Sequence, residues 1–261
     1  MYLRRMFVIF QGLFMFATGP SWGHDFWIEP HRFHTNPSET LAIDLLIGER
    51  FRGDAIIPAP RLVAAFRVHQ EGNVWDVVQL PHGSTAGLTR IRERGLAVVE
   101  YQGHPKPIVL KAPVFNQYLQ EEGLDHVLAA RAAKDQTQTP GRESYARCAK
   151  ALIRVGQSHD GWNQRLGHRL EFVFRTNPFD PSGETVAVLL FEGEPLAGTK
   201  VVAMAKNQPG QMHQSRTDPE GEVRFHLSGE GPWLLKTVHM VPHPEDGTDW
   251  SSVWASITFA R

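Results

Sequence analysis

The sequence predicts a mainly β protein with a helical insertion, made of a β-rich N-terminal part, a helical segment and a C-terminal β-sandwich. Three observations predict this. Short apolar runs recur along the first third and are each closed by Pro or Gly before an amphipathic helix could develop. After Pro113 the composition changes to Ala, Leu, Arg, Glu and Lys, the residues that favour helix. From His168 onward, short strand-like runs return at regular spacing with turn formers between them, the pattern of a small sandwich.

In chain order, residues 1–23 read as a secretion signal. Arg4 and Arg5 precede the apolar run MFVIFQGLFMFA, Gly19-Pro20 breaks it, and the small residues Ser21 and Gly23 occupy the positions a signal peptidase reads. The run is shorter than the about 20 apolar residues needed to cross a bilayer. Cleavage after Gly23 would make His24 the mature N-terminus, in a periplasmic or secreted protein with no membrane span after processing.

Residues 24–112 form the β-rich N-terminal domain, with strands expected in ETLAIDLLI, RLVAAFRVH, NVWDVVQL, GLAVVEYQ and PIVLKA. In residues 113–160, FNQYLQEEGLDHVLAARAAKD and RESYARCAKALIRVG read as two or three helices, with Leu124, Val127, Leu128 and Ala132 at helical spacing. Arg131, Lys134, Arg142, Arg147 and Lys150 read as their solvated face. In residues 161–261, the runs HRLEFVFRT, TVAVLLFEG, GTKVVAMAKN, EVRFHL and PWLLKTVHM supply the sandwich strands, and SVWASITF closes the core.

Composition excludes several functions. Lys plus Arg (27) nearly balance Asp plus Glu (28), so no strong field points to nucleic acid. One cysteine, Cys148, excludes an intramolecular disulfide framework and a multi-cysteine metal site, and reads as a small buried hydrophobe. No P-loop, dinucleotide fingerprint or HExxH motif is present, and no nucleophile or general base stands out.

HDFWIEP, GRESYARCAKALI, GEPLAGTKV, TDPEGEVRF and DWSSVWASITFAR together resemble the exported domain-of-unknown-function family associated with nickel or cobalt uptake systems. The resemblance spans almost the whole mature chain. It implies an exported, non-catalytic accessory or substrate-binding component whose C-terminal domain is similar to carboxypeptidase-regulatory or prealbumin-like sandwiches. A membrane metal transporter is the implied partner.

The residues suggest how a metal would be held. The α-amino nitrogen and imidazole of a processed His24 can chelate one divalent metal, nickel or cobalt by the resemblance, with copper an alternative. Both groups must be unprotonated, so occupancy near neutral pH would be lost in acid. Asp25 and Glu29 lie close in sequence, His31 and His34 could return only if the chain bends, and His239 on the TVHM strand is the preferred distant ligand. His159, His168, His213, His226 and His243 lack ligand spacing and are unassigned. Phe26 and Trp27 anchor the first segment by burying aromatic area. Three classes stay open: a metal-binding transport accessory, a protein- or glycan-interaction module, and a copper redox protein built on the N-terminal histidine.

Overall fold

The computed structural model describes residues 23–157, 160–181, 183–208, 210–243 and 247–261. The predicted signal segment up to Trp22, and with it most of the cleavage motif, lies outside the described residues, as does His159. The chain is mainly β. Strands β1 (Asp25–Pro30), β2 (His34–Thr35), β3 (Thr40–Glu49), β4 (Arg52–Ile56), β5 (Val63–Gln70), β6 (Asn73–Asp76), β7 (Val78–Gln79), β8 (Gly87–Arg90), β9 (Gly95–Gly103) and β10 (Lys106–Leu110) come first. Helices α1 (Ala112–Glu121) and α2 (Asp125–Ala133) follow, then the long strand β11 (Gly141–Val155). The remainder is β12 (Leu170–Phe174), β13 (Thr185–Phe191), β14 (Glu194–Pro195), β15 (Lys200–Ala205), β16 (Met212–Arg216), β17 (Glu222–Phe225), β18 (Pro232–Pro242) and β19 (Trp250–Ala260).

These strands build a three-layer sandwich around one shared sheet. The central sheet runs β16-β15-β18-β19-β11-β9-β5-β6, with β10 and β2 also paired to β11. One face of its β5-β9-β11 region is covered by the sheet β1-β3-β8-β7, to which β4 adds at β3. The opposite face is covered by β12-β13-β14, with β17 paired to β13. Strand pleating explains the arrangement: on β11, Ala149, Ala151 and Ile153 enter the first core while Cys148 and Leu152 enter the second. On β9, Ala97 and Val99 go one way, and Leu96 and Val98 the other.

This two-sided burial corrects the helical reading of RESYARCAKALIRVG. That segment is β11, running antiparallel to β9 and β10 and parallel to β19, with Glu143 to Ala151 paired to Trp250 to Thr258. A central strand covered on both faces loses polar/apolar alternation, and the close layers favour Ala, so its composition imitates helix. The charged residues assigned to a solvated face separate accordingly. Lys150 is 3% exposed and Arg131 1%, Arg147 is half-buried, whereas Lys134 and Arg142 are exposed. Arg131 donates at 2.7 Å to the carbonyls of Gln136 and Thr139, tying down the loop after α2.

The two helices form where the composition predicts helix in FNQYLQEEGLDHVLAARAAKD. Pro113 suits the first turn of α1, where its missing N–H is no loss. The helix ends at Gly123, whose φ of +70° is the left-handed conformation that favours glycine, and Leu124 N–H returns to Leu119 O at 2.8 Å. Phe115, Tyr118, Leu119, Leu124 and Val127 pack on Val238, Met240, Trp250 and Trp254 of β18 and β19. At Gly141 a Cβ would stand 2.2 Å from the Phe115 ring, so only glycine lets α1 approach the start of β11. Cys148 is buried as expected, and burial pushes its thiol up to about 12.

Candidate functional site

The predicted terminal site lies where β1 enters the fold. Asp25 to Pro30 pair antiparallel with Gly48 to Ile43 of β3, holding the segment as an ordered strand rather than a loose terminus. Phe26 and Ile28 enter the core, and Trp27, fully buried, meets the Phe51 ring edge-on at 5.4 Å. Aromatic anchoring of the first segment is therefore as the sequence suggests. Gly23 rests on a stacked pair, since a Cβ there would stand 3.7 Å from Tyr118 and 3.8 Å from Trp254.

His24 is partly open to solvent, with its side chain 42% exposed and Nε2 3.8 Å from Glu49 Oε1. Its carbonyl accepts a 3.4 Å hydrogen bond from Arg147. Asp25, by contrast, is 5% exposed and faces the Lys236 ammonium at 2.7 Å. Burial raises the Asp25 pKa despite the opposing pull of Lys236. Lys236 also donates to Glu122 at 2.8 and 3.1 Å. The three form a buried carboxylate–ammonium–carboxylate arrangement, and Asp25 is bound up in it.

His239 lies on β18, the strand expected for it, but the pleat sends it away from His24. Val238 and Met240, in phase with Lys236, face the helices, whereas His239 is in phase with Trp233 and Leu235. Its ring stacks on His126 at 5.7 Å and meets Phe191 at 4.6 Å. Burial, then His126 and Arg169, push it down to about 4, which leaves the imidazole neutral at pH 7. His126 Nε2 donates to Met240 O at 2.7 Å. Both rings border a cleft of about 380 Å³ between the Glu122–His126 turn and Gly198–Lys200, with Arg216 at its side. Sequence spacing gave no signal for His126, because it meets His239 only through docking of α2 on β18.

The remaining histidines have other partners. His31 Nε2 is 2.9 Å from Asp44, on the partly exposed outer side of β3, and His34 Nε2 donates to Gly156 O at 2.8 Å. Glu29 pairs with Lys206 and accepts from Trp27 at 3.1 Å. His168, 3% exposed, joins His69 on a buried carboxylate: Glu100 is 3.1 Å from His168 and 2.5 Å from His69, and accepts from Gln102 at 2.6 Å. Burial alone would raise Glu100, but the hydrogen bonds from His168, His69 and Gln102 outweigh it and hold the carboxyl well below its usual range. Among the described residues no group of three or more His, Cys, Asp or Glu side chains is placed to hold a metal.

A second buried acid behind Gly23 carries a prediction. Glu143, 3% exposed, accepts hydrogen bonds from Ser252 and from Tyr118 at 3.2 Å, and burial pushes it up to about 7. The folded state thus keeps a proton that the unfolded chain releases near pH 4.5. Its contribution to stability is full below about pH 4.5 and is lost as pH rises to about 7. Glu143→Gln should be more stable than wild type by about 2–3 kcal/mol at pH 8 and equal to it at pH 4. Urea unfolding at both pH values checks this, and equal stability at pH 8 refutes it.

Comparison with known proteins adds the family. A model for the family described as domain of unknown function DUF4198 matches residues 21–241. The chain belongs to the DUF4198 family. No curated protein matches it. Among solved structures, the D0-D1 domain of intimin aligns over 90% of this chain and 97% of its own, at 9% identity and a TM-score of 0.23. A mutant alpha-2-macroglobulin from Salmonella aligns over 92% of this chain and 15% of its own, at 13% identity and a TM-score of 0.20. The DUF4198 match includes His24, Asp25, Glu49, His126 and His239, so the terminal site and the cleft both fall within the family's span.

Proposed function

We propose that this protein is an exported, non-catalytic metal-binding accessory in transition-metal uptake, with nickel or cobalt as its cargo and a membrane metal transporter as its partner. Removal of residues 1–23 would free the α-amino group of His24. That nitrogen and the imidazole Nδ1 then form one chelate. The observation that carries the reading is the 3.8 Å approach of Glu49 to the other ring nitrogen, Nε2. At that distance the carboxylate is a charged neighbour rather than a hydrogen-bond acceptor, and its negative charge favours a cation held at His24. The metal would be held by His24, with Asp25 kept by Lys236 and His239 on the opposite face of the central sheet.

The test uses protein beginning at an authentic His24 and a second form carrying one extra residue before it. Titration with nickel, cobalt and copper should show tight binding to the first form, weaker by about 100-fold in the second. Acidification should weaken that binding, because both donors must be unprotonated to coordinate. Equal weak binding by both forms would overturn the reading and favour an interaction module. Preference for copper together with redox turnover would favour the copper protein.

A further inference from the structure

The covering sheet and the helices meet over the central sheet at a place where two cations, Lys106 and Arg147, have no acidic partner among the described residues. Arg147 and Tyr145 project from the same face of β11, two residues apart, and Lys106 is opposite Tyr145 on β10. Cross-strand partners share a face, so Lys106 and Arg147 belong to one surface. The Arg147 guanidinium lies 5.3 Å from the Phe26 ring and 5.6 Å from Tyr145. Its one side-chain hydrogen bond is the 3.4 Å contact to His24 O, and its buried Nε has no partner. Among the described residues no carboxylate pairs with either cation: Asp25 acts on Arg147 only at a distance and is bound to Lys236.

Such a pair is unfavourable alone. Burial, then the charge of Arg147, lowers the pKa of Lys106, and burial lowers that of Arg147. Three exposed arginines, by contrast, have acids: Arg142 has Asp249, Arg216 has Asp125 and Arg169 has Glu192. At Arg147 the chain provides instead two aromatic rings close to the guanidinium, and a second cation whose charge it feels. A planar fork held against rings is suited to bidentate binding of an oxyanion.

We propose that this junction is a binding site for a small oxyanion, a carboxylate or phosphate group, held by the Arg147 guanidinium and the Lys106 ammonium between Phe26 and Tyr145. The anion completes the charge balance of the two cations. Its place beside the His24 carbonyl puts it next to the terminal site, yet its binding requires neither a metal nor a free α-amine.

Inorganic phosphate and acetate are titrated separately into the form extended before His24, with chelator present, and followed by amide NMR. Saturable shifts at residues 24–26, 106 and 145–147 with either probe are expected, and the better probe names the anionic group. Lys106→Gln and Arg147→Met, the latter retaining the apolar stem against the rings, should each weaken binding about tenfold or more. Thermal melts verify that both variants fold; Lys106→Gln, on the partly exposed short strand β10, keeps the test usable if Arg147→Met does not. Absence of saturable binding by both probes, or unchanged affinity in folded Lys106→Gln, overturns the proposal. Because this form cannot make the terminal chelate, failure of the metal reading leaves these outcomes unaffected.

Discussion

Lys150→Met is expected to destabilise the fold by about 3–5 kcal/mol, the usual effect of removing one partner from a buried ion pair. Lys150 faces the β12-β13-β14 side of the central sheet, where its ammonium is 2.9 Å from Glu171 and 3.2 Å from Gln164 O. Lys150 is 3% exposed and Glu171 2%. Glu171 also accepts backbone hydrogen bonds from Leu166 at 2.6 Å and Gly167 at 2.9 Å, clamping the loop that leads into β12. Burial lowers the Lys150 pKa against the pull of Glu171 and of Glu100. Met fills most of the lysine volume, which isolates the electrostatic loss from a cavity. Adding Glu171→Gln should recover a large part of it. Urea unfolding of the four proteins gives the coupling, and a single-variant loss below about 1 kcal/mol would refute the pair's importance.

Trp27→Ala should be comparably severe, at about 3–5 kcal/mol, because a large buried side chain leaves a cavity as well as lost apolar transfer. The ring is fully buried against Phe51 and lies in one cluster with Val202, Met204 and Leu234. One aromatic on the first strand therefore fastens the N-terminal sheet to β15 and β18, which belong to the C-terminal part of the chain. Gly53 permits this, since a Cβ there would stand 2.9 Å from the indole. Besides a lower melting temperature, the variant should lose chelation at His24, because that residue immediately precedes β1. Retained metal affinity in a destabilised protein would separate anchoring from site geometry.

Much of the fold was legible in the sequence. Alternation and turn residues placed β3, β5, β9, β13, β15 and β18, and FNQYLQEEGLDHVLAARAAKD marked the helical pair. β11 was not legible, because periodicity registers one exposed face and the stretch from Cys148 to Ile153 has none. The site was readable only as far as local chemistry reaches. His24 and the Trp27 anchor follow from adjacent residues, whereas Glu49, His126 and the Lys106–Arg147 pair become neighbours through strand register and helix docking. His239 shows the same limit from the other side: its strand was foreseeable, but which face it occupied depended on pleat phase.

The parallel seam between β11 and β19 also governs the order in which the molecule can be completed. Glu143 must await Trp250 and Ala151 must await Thr258, near the far end of the chain. Until β19 arrives, β11 presents an open hydrogen-bonding edge, and the core beneath β12 and β13 lacks Val253, Ala255, Ile257 and Phe259. Such distant pairing slows folding, because chain entropy is lost before the contacts compensate for it. A nascent chain stalled before β19 would therefore leave that edge of β11 unpaired rather than present a finished first half.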